Sequence, residues 1–175
     1  WDKSSLAKIN LYIKPGMAFG TGHHESTWLM LYQMLKNIKF RTKILDLGTG
    51  SGILSIAANL LGAIKVDAIE NDLDCKKNFF ENLKLNNIEK GISFYVDDVL
   101  KWKDFNYDVI LANINRNILE KLIPNLVNTK SIIILSGLLA SDYGRMKKLI
   151  TKYGFIITEF SKKGDWICLV LKYDK

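Results

Sequence analysis

The stretch Asp46-Leu47-Gly48-Thr49-Gly50-Ser51-Gly52-Ile53 sets three glycines at alternate positions behind a carboxylate. A β-branched run leads into it and apolar residues at helical spacing follow it. Open α/β sheets bind nucleotides at such a strand-to-helix turn. Glycine there admits positive φ and lets the backbone approach a ligand closely. The spacing excludes two common users of such turns. A dinucleotide fingerprint counted from Gly48 would need glycine or alanine at Ile53, and counted from Gly50 it would need one at Ser55. No Gly-Lys-Ser/Thr follows, so a phosphate-binding P-loop is excluded too. Read as architecture alone, the same glycines make a structural turn.

Further polar residues stand where a ligand at that turn would reach them. The run Val66–Glu70 ends in a carboxylate, with helix-starting Asn71-Asp72 behind it. An acid at the end of the second strand accepts hydrogen bonds from ribose hydroxyls. The separation of Glu70 from the glycines favours this over a merely exposed strand end. Asp97-Asp98 follows a third run, and Ala112-Asn113-Ile114-Asn115 closes a fourth. The amide oxygen of Asn113 is suited to hold a target amine. Asn115 reads equally well as a helix N-cap.

Before the first run lies Pro15-Gly16-Met17-Ala18-Phe19-Gly20-Thr21-Gly22-His23-His24-Glu25-Ser26-Thr27. Adjacent histidines on a loop do not readily share one ion, no other histidine exists, and neither cysteine is near in sequence. No metal site is expected. Ser26 reads as a cap for the next helix, and Thr21, between glycines, as a residue placed against a bound cofactor.

These residues need a scaffold. β-branched runs at Ile44–Leu47, Val66–Glu70, Ile92–Val96, Val109–Asn113, Ile132–Ser136, Phe155–Phe160 and Trp166–Leu171 alternate with helical faces. Those faces are Ile53/Ile56/Ala57/Leu60/Leu61, Phe79/Phe80/Leu83, Leu119/Leu122/Ile123/Leu126 and Met146/Leu149/Ile150/Tyr153, with Pro124 expected to kink or shorten the third. Trp28, Leu31, Tyr32 and Leu35 mark an extra amphipathic helix. The alternation predicts a mostly parallel, doubly wound sheet. Only Ser161-Lys162-Lys163-Gly164-Asp165 separates the last two runs, too short for a parallel crossover, so they are expected to form an antiparallel hairpin.

The 175 residues fit one domain, with residues 1–40 as loop and helix and 41–175 as core. Hydrophobic content of 48% is that of a folded protein, and no apolar run approaches the ~20 residues of a membrane helix. The first residues hold no charged-then-apolar leader, so no signal peptide is expected. Cys75 and Cys168 read as buried free thiols of a reducing cytoplasm. The net charge of +7 fits contact with a ribosome or RNA, and equally a solvated lysine-rich surface.

The packed glycines behind Asp46 are similar to the first motif of methyltransferases. Taken with Pro15 to Thr27, Glu70, Ala112-Asn113-Ile114 and Leu135-Ser136-Gly137, in that order, they make the chain resemble the PrmA family of ribosomal-protein methyltransferases along its whole length. The resemblance implies a Rossmann-like, seven-stranded class I methyltransferase fold and S-adenosylmethionine as cofactor. It implies amino groups of protein eleven of the large ribosomal subunit as substrate. By it, Thr21, Gly48, Glu70 and Asn113 are cofactor-binding positions, and Phe19, Gly20, Gly50 and Gly52 line the same site. Asp98 takes the place where methyltransferases often hold the adenine amino group.

Two departures matter. Glu70 stands where the family often has Asp. Family members also carry a substrate-docking N-terminal domain without a counterpart here, so a truncation or a short relative is expected. Three rival readings follow from the residues: a methyltransferase for RNA, another protein or a small molecule; a non-catalytic cofactor-binding module; and a nicotinamide dehydrogenase, disfavoured by the failed fingerprint and the closing hairpin.

Overall fold

The computed structural model describes residues 10–14 and 24–174. Its elements in chain order are α1 (Glu25–Asn37), β1 (Lys43–Leu47), α2 (Ile53–Leu60), β2 (Lys65–Glu70), α3 (Leu73–Leu85), β3 (Ile92–Val96), β4 (Val109–Asn113), α4 (Arg116–Leu122), β5 (Ile132–Leu139), α5 (Tyr143–Lys152), β6 (Phe155–Lys163) and β7 (Trp166–Tyr173). The strands form one seven-stranded sheet ordered β3-β2-β1-β4-β5-β7-β6. Pairing is parallel from β3 through β5. It is antiparallel where β7 slots between β5 and β6. The expected fold is therefore the observed one: Rossmann-like, mostly parallel, closed by a hairpin.

Alternate residues of each strand supply opposite faces of the sheet. Ile44, Val66, Val109, Leu111, Ile134 and Val170 pack beneath α1 and α2, while Ala68 meets Phe79 of α3. Leu45, Leu47, Ile110, Leu135 and Leu169 face α4 and α5 on the other side. The central strands β1, β4 and β5 are thus apolar on both faces, which is why they read as continuous hydrophobic runs. Pro124 acts as expected. The helix stops at Leu122, and Ile123–Leu126 continues as a short 3₁₀ turn with the proline at its start.

One helix face is corrected. In α1 the buried residues are Ser26, Thr27, Leu29, Met30, Gln33 and Met34. Trp28 and Leu31 only flank the core, and Tyr32 and Leu35 are exposed. The polar members are buried with partners: Gln33 Nε2 donates to Ser161 Oγ of the closing hairpin at 2.5 Å, Ser26 Oγ pairs with His24 Nδ1 at 2.7 Å, and Thr27 Oγ1 lies 3.5 Å from the Asn113 amide nitrogen. Outside, Trp28 and Tyr32 stack with ring centroids 5.4 Å apart, and the Lys163 ammonium sits 4.5 Å over Trp28. Phe80 of α3, expected inside, is likewise exposed.

The strand order reverses between β2-β1 and β4-β5, because β1 pairs with both β2 and β4. Chains leaving β1 and β4 diverge to opposite faces there and open a crevice at the carboxyl ends of the strands.

Candidate active-site cleft

A cleft of about 540 Å³ occupies that crevice. Its wall brings together Gly48 and Gly50 after β1, Glu70 at the end of β2, Asp98 beyond β3, and Asn113 at the end of β4. Gly52 is not in the wall. It stands beneath it with φ of +85°, as N-cap of α2, and a Cβ there would come within 2.7 Å of the Phe79 ring. Thr21, Phe19 and Gly20 lie outside the described residues.

The glycine turn is held from several sides. Gly48 and Thr49 donate backbone N–H bonds to the Ile69 carbonyl at 2.9 and 3.1 Å. Gly50 N donates to Glu70 Oε2 at 3.0 Å, while Asn71 N and Asp72 N donate to Glu70 Oε1 at 2.9 and 3.1 Å. Three backbone donors therefore orient the carboxylate at the cleft wall, and Oε2, which accepts only one of them, retains acceptor capacity for a hydroxyl. Gly48 has φ of +74°, and a Cβ on it would meet Ile114 Cγ2 at 2.4 Å.

Ile114 is gripped from the other side as well. Gly137, at φ of +81° where the β5–β7 register is irregular, lies so close that a Cβ would sit 2.3 Å from the Ile114 carbonyl oxygen. Two glycines, one just after β1 and one in β5 on the other side of β4, thus fix the loop that follows Asn113. The Asn113 amide nitrogen lies 3.5 Å from Thr27 Oγ1, and its buried amide oxygen has no hydrogen-bond partner among the described residues. Asn115 is the N-cap of α4, accepting from Ile118 N at 3.2 Å. Asp98 Oδ1 accepts from Leu100 N at 2.9 Å, so part of its capacity shapes the turn around it.

The cap of α1 is His24 rather than Ser26: its Nδ1 accepts from Ser26 N at 3.2 Å. Ser26, two residues on within the first turn, joins the cleft wall with Trp166 of β7. The His24 and Trp166 rings meet edge to face at 4.4 Å. Cys75 also lines the cleft, and burial first of all pushes its thiol up to about 11, so it stays neutral and is a poor nucleophile at pH 7.

Sequence reasoning gave Asp46 no role, yet it is the buried support of the turn. Its Oδ2 accepts from Thr49 Oγ1 and Ser55 Oγ, each at 2.6 Å, and its Oδ1 has no partner among the described residues. Desolvation raises its pKa from 3.8 to about 6, and the two hydroxyl bonds oppose that rise. A hint was present in the sequence: Asp46, Thr49 and Ser55 frame the glycines with a polar set in an otherwise apolar stretch. A folded pKa above the unfolded one means that the native state holds the proton more tightly between the two values. The contribution to stability is full below pH ~4 and is lost as pH rises through about 6. Holding this carboxyl at about 6 instead of 3.8 corresponds to about 3 kcal/mol. Urea unfolding of wild type and Asp46→Asn across pH 4 to 7 should therefore show wild type losing stability relative to the variant. A constant difference across that range would overturn the assignment.

Comparison with known proteins agrees with this geometry. The family model described as ribosomal protein L11 methyltransferase (PrmA) matches residues 1–174. The ribosomal protein L11 methyltransferase of Staphylococcus saprophyticus is 34% identical over 173 residues, covering 97% of this chain and 55% of its own length. That of Thermosipho melanesiensis is 38% identical over 169 residues, covering 95% of this chain and 62% of its own. A crystal structure of ribosomal protein L11 methylase from Lactobacillus delbrueckii subsp. bulgaricus superposes with a TM-score of 0.85 at 32% identity, covering 93% of this chain and 84% of that one. The chain spans about half to three-fifths of the length of these curated relatives. By the extent of these matches, the chain belongs to the ribosomal protein L11 methyltransferase (PrmA) family.

Proposed function

We propose that the chain is the catalytic domain of a cytoplasmic methyltransferase that uses S-adenosylmethionine to methylate amino groups of ribosomal protein L11. Family membership supports the reaction class and the substrate. The structural observation that carries it is the Asn113 amide oxygen, buried in the wall of the cleft without a partner among the described residues. A buried acceptor left unpaired is costly, which points to a donor supplied by a ligand.

The residues present fit the cofactor. Glu70 is placed to accept from ribose hydroxyls, and the backbone of Gly48 and Gly50 forms part of the wall against which an elongated ligand would lie. Asp98 would take the adenine amino group. Thr21, Phe19 and Gly20, outside the described residues, are assigned to the same site by the family resemblance alone. When bound, the cofactor supplies a methyl group already activated by its sulfonium.

What remains for the protein is orientation and exclusion of water. Asn113 accepts a hydrogen bond from the incoming amine and aims its lone pair. A lysine amine at pKa ~10.4 is almost wholly protonated at neutral pH, and a desolvated cleft lowers that value. The proton leaves to solvent before transfer.

Single-turnover transfer of labelled methyl from S-adenosylmethionine to purified ribosomal protein L11, followed against pH, tests this reading. Asn113→Asp retains the shape but adds a negative charge that favours the protonated amine. It should keep most cofactor affinity, lose turnover near pH 7 and recover part of it as pH rises. Asn113→Ala should lose turnover with little recovery. Wild-type rates in both variants would leave Asn113 as a strand-end cap, and absence of label in L11 with wild type would sink the substrate assignment.

A further inference from the structure

Helix α3 carries Asn78 and Asn82 and is closed by Asn86 at its C-cap, so that the three amides, at i, i+4 and i+8, form one stripe. Asparagine is a poor helix former, so three on one line are unexpected from propensity alone. Each makes bonds to the extended segment 10–14. Tyr12 N donates to Asn86 Oδ1 at 2.9 Å and Asn86 Nδ2 donates back to Tyr12 O at 2.6 Å. Lys14 N donates to Asn82 Oδ1 at 2.9 Å, and Asn78 Nδ2 donates to Lys14 O at 3.2 Å. The spacing explains the match: four helical residues rise ~6.0 Å and two extended residues ~6.6 Å, so the stripe serves the segment as a neighbouring strand would. Leu11 and Ile13, on the other side of the segment, pack against the clusters under α2 and α3.

Asn82 has a second partner. Its Nδ2 donates to the Ser51 carbonyl at 2.8 Å, inside the glycine turn, and the side chain is fully buried. The amide cannot rotate by half a turn while Lys14 is in place. Rotation would set its NH₂ against the Lys14 N–H and its oxygen against the Ser51 carbonyl. The segment thus fixes which end of the amide faces the turn.

We propose that Asn82 is a positioning residue for the cofactor cleft, holding the Gly50–Gly52 turn by its Ser51 carbonyl, and that segment 10–14, clamped by Asn86, is the brace that keeps Asn82 in that orientation. This rests on the proposed cofactor, for which the glycine turn is the floor. Asn86 is the informative site, because among the described residues it bonds only Tyr12 and its own helix, away from the cleft.

The test is calorimetric titration of the folded chain with S-adenosylhomocysteine, paired with hydrogen exchange at the Tyr12 and Lys14 amides. In wild type both amides should be protected. Asn86→Ala should release them and raise the dissociation constant roughly three- to tenfold, as expected for losing one or two hydrogen bonds that stabilise the competent turn. Asn82→Asp keeps the acceptor for Lys14 but sets a carboxylate against the Ser51 carbonyl, so it should weaken binding by about tenfold or more with Lys14 still protected. In Asn82→Ala the brace has nothing left to orient, and adding Asn86→Ala should change affinity by less than about twofold. Release of the amides in Asn86→Ala with unchanged affinity overturns the proposal. So does full multiplication of the two alanine effects, or lack of protection in wild type. If wild type does not bind S-adenosylhomocysteine, the wild-type titration alone identifies the cofactor reading as the one that failed, and the positioning role falls with it.

Discussion

Gly137→Ala is expected to lower methyl transfer roughly a hundredfold, although residue 137 carries no functional group, because a misplacement of about 1 Å at a reacting group costs that much. An alanine there meets two obstacles together. The φ of +81° disfavours any L side chain, and the new methyl would stand 2.3 Å from the Ile114 carbonyl oxygen. That oxygen belongs to backbone, so relief requires the Asn113–Asn115 loop to move. The same loop is stopped on its far side by Gly48, where Ile114 Cγ2 already fills the space a Cβ would take. Displacement therefore shifts Asn113 relative to the glycine turn. Single-turnover rates with saturating cofactor would reveal the loss. A folded Gly137→Ala variant with wild-type turnover would mean that the position of Ile114 does not govern transfer.

Glu70→Ala is expected to weaken S-adenosylmethionine binding roughly ten- to a hundredfold, the loss of hydrogen bonds to a charged group worth ~1.5–3 kcal/mol. The structure adds a refinement. Because Glu70 accepts from Gly50, Asn71 and Asp72 on two different oxygens, Glu70→Gln is no rescue: its NH₂ must face one of those N–H groups. Glu70→Asp keeps two acceptor oxygens and should retain more affinity than either. Calorimetry on the three folded variants decides it. Glutamine binding as tightly as wild type would show that charge and double acceptance are unimportant at this position.

Much of this was legible because strands β1, β2, β4 and β5 are covered on both sides, so their apolar runs stand out, and because a five-residue connection admits only one pairing for β6 and β7. Glu70 and Asn113 could be found because they sit at the ends of such runs. The inward face of α1 could not be read by hydrophobicity. It buries Ser26, Thr27 and Gln33, the last two with partners supplied from distant strands, while Trp28 and Tyr32 cover each other at the surface. The cap fell to His24 rather than Ser26 because Ser26 is drawn inward to the cleft. Trp166 joins the wall only through the hairpin, more than a hundred residues after α1, and no local pattern marks it. The amides of α3 look like ordinary polar surface until segment 10–14 is seen against them.

The insertion of β7 between β5 and β6 has a consequence for the order in which the chain can fold during synthesis. Helix α1 packs on β4, β5, β6 and β7, and Cys168 of β7 touches Met30 with sulfurs 3.8 Å apart. An early helix must therefore wait for nearly the last strand before its apolar side is covered. Contacts of such long sequence separation form slowly. Until β7 emerges, β5 presents a long, hydrophobic, unpaired edge of the kind that recruits other strands. A nascent chain halted before Trp166 should thus be aggregation-prone while already holding β1 to β5. Its safety in a cell rests on the speed with which the final strand is delivered.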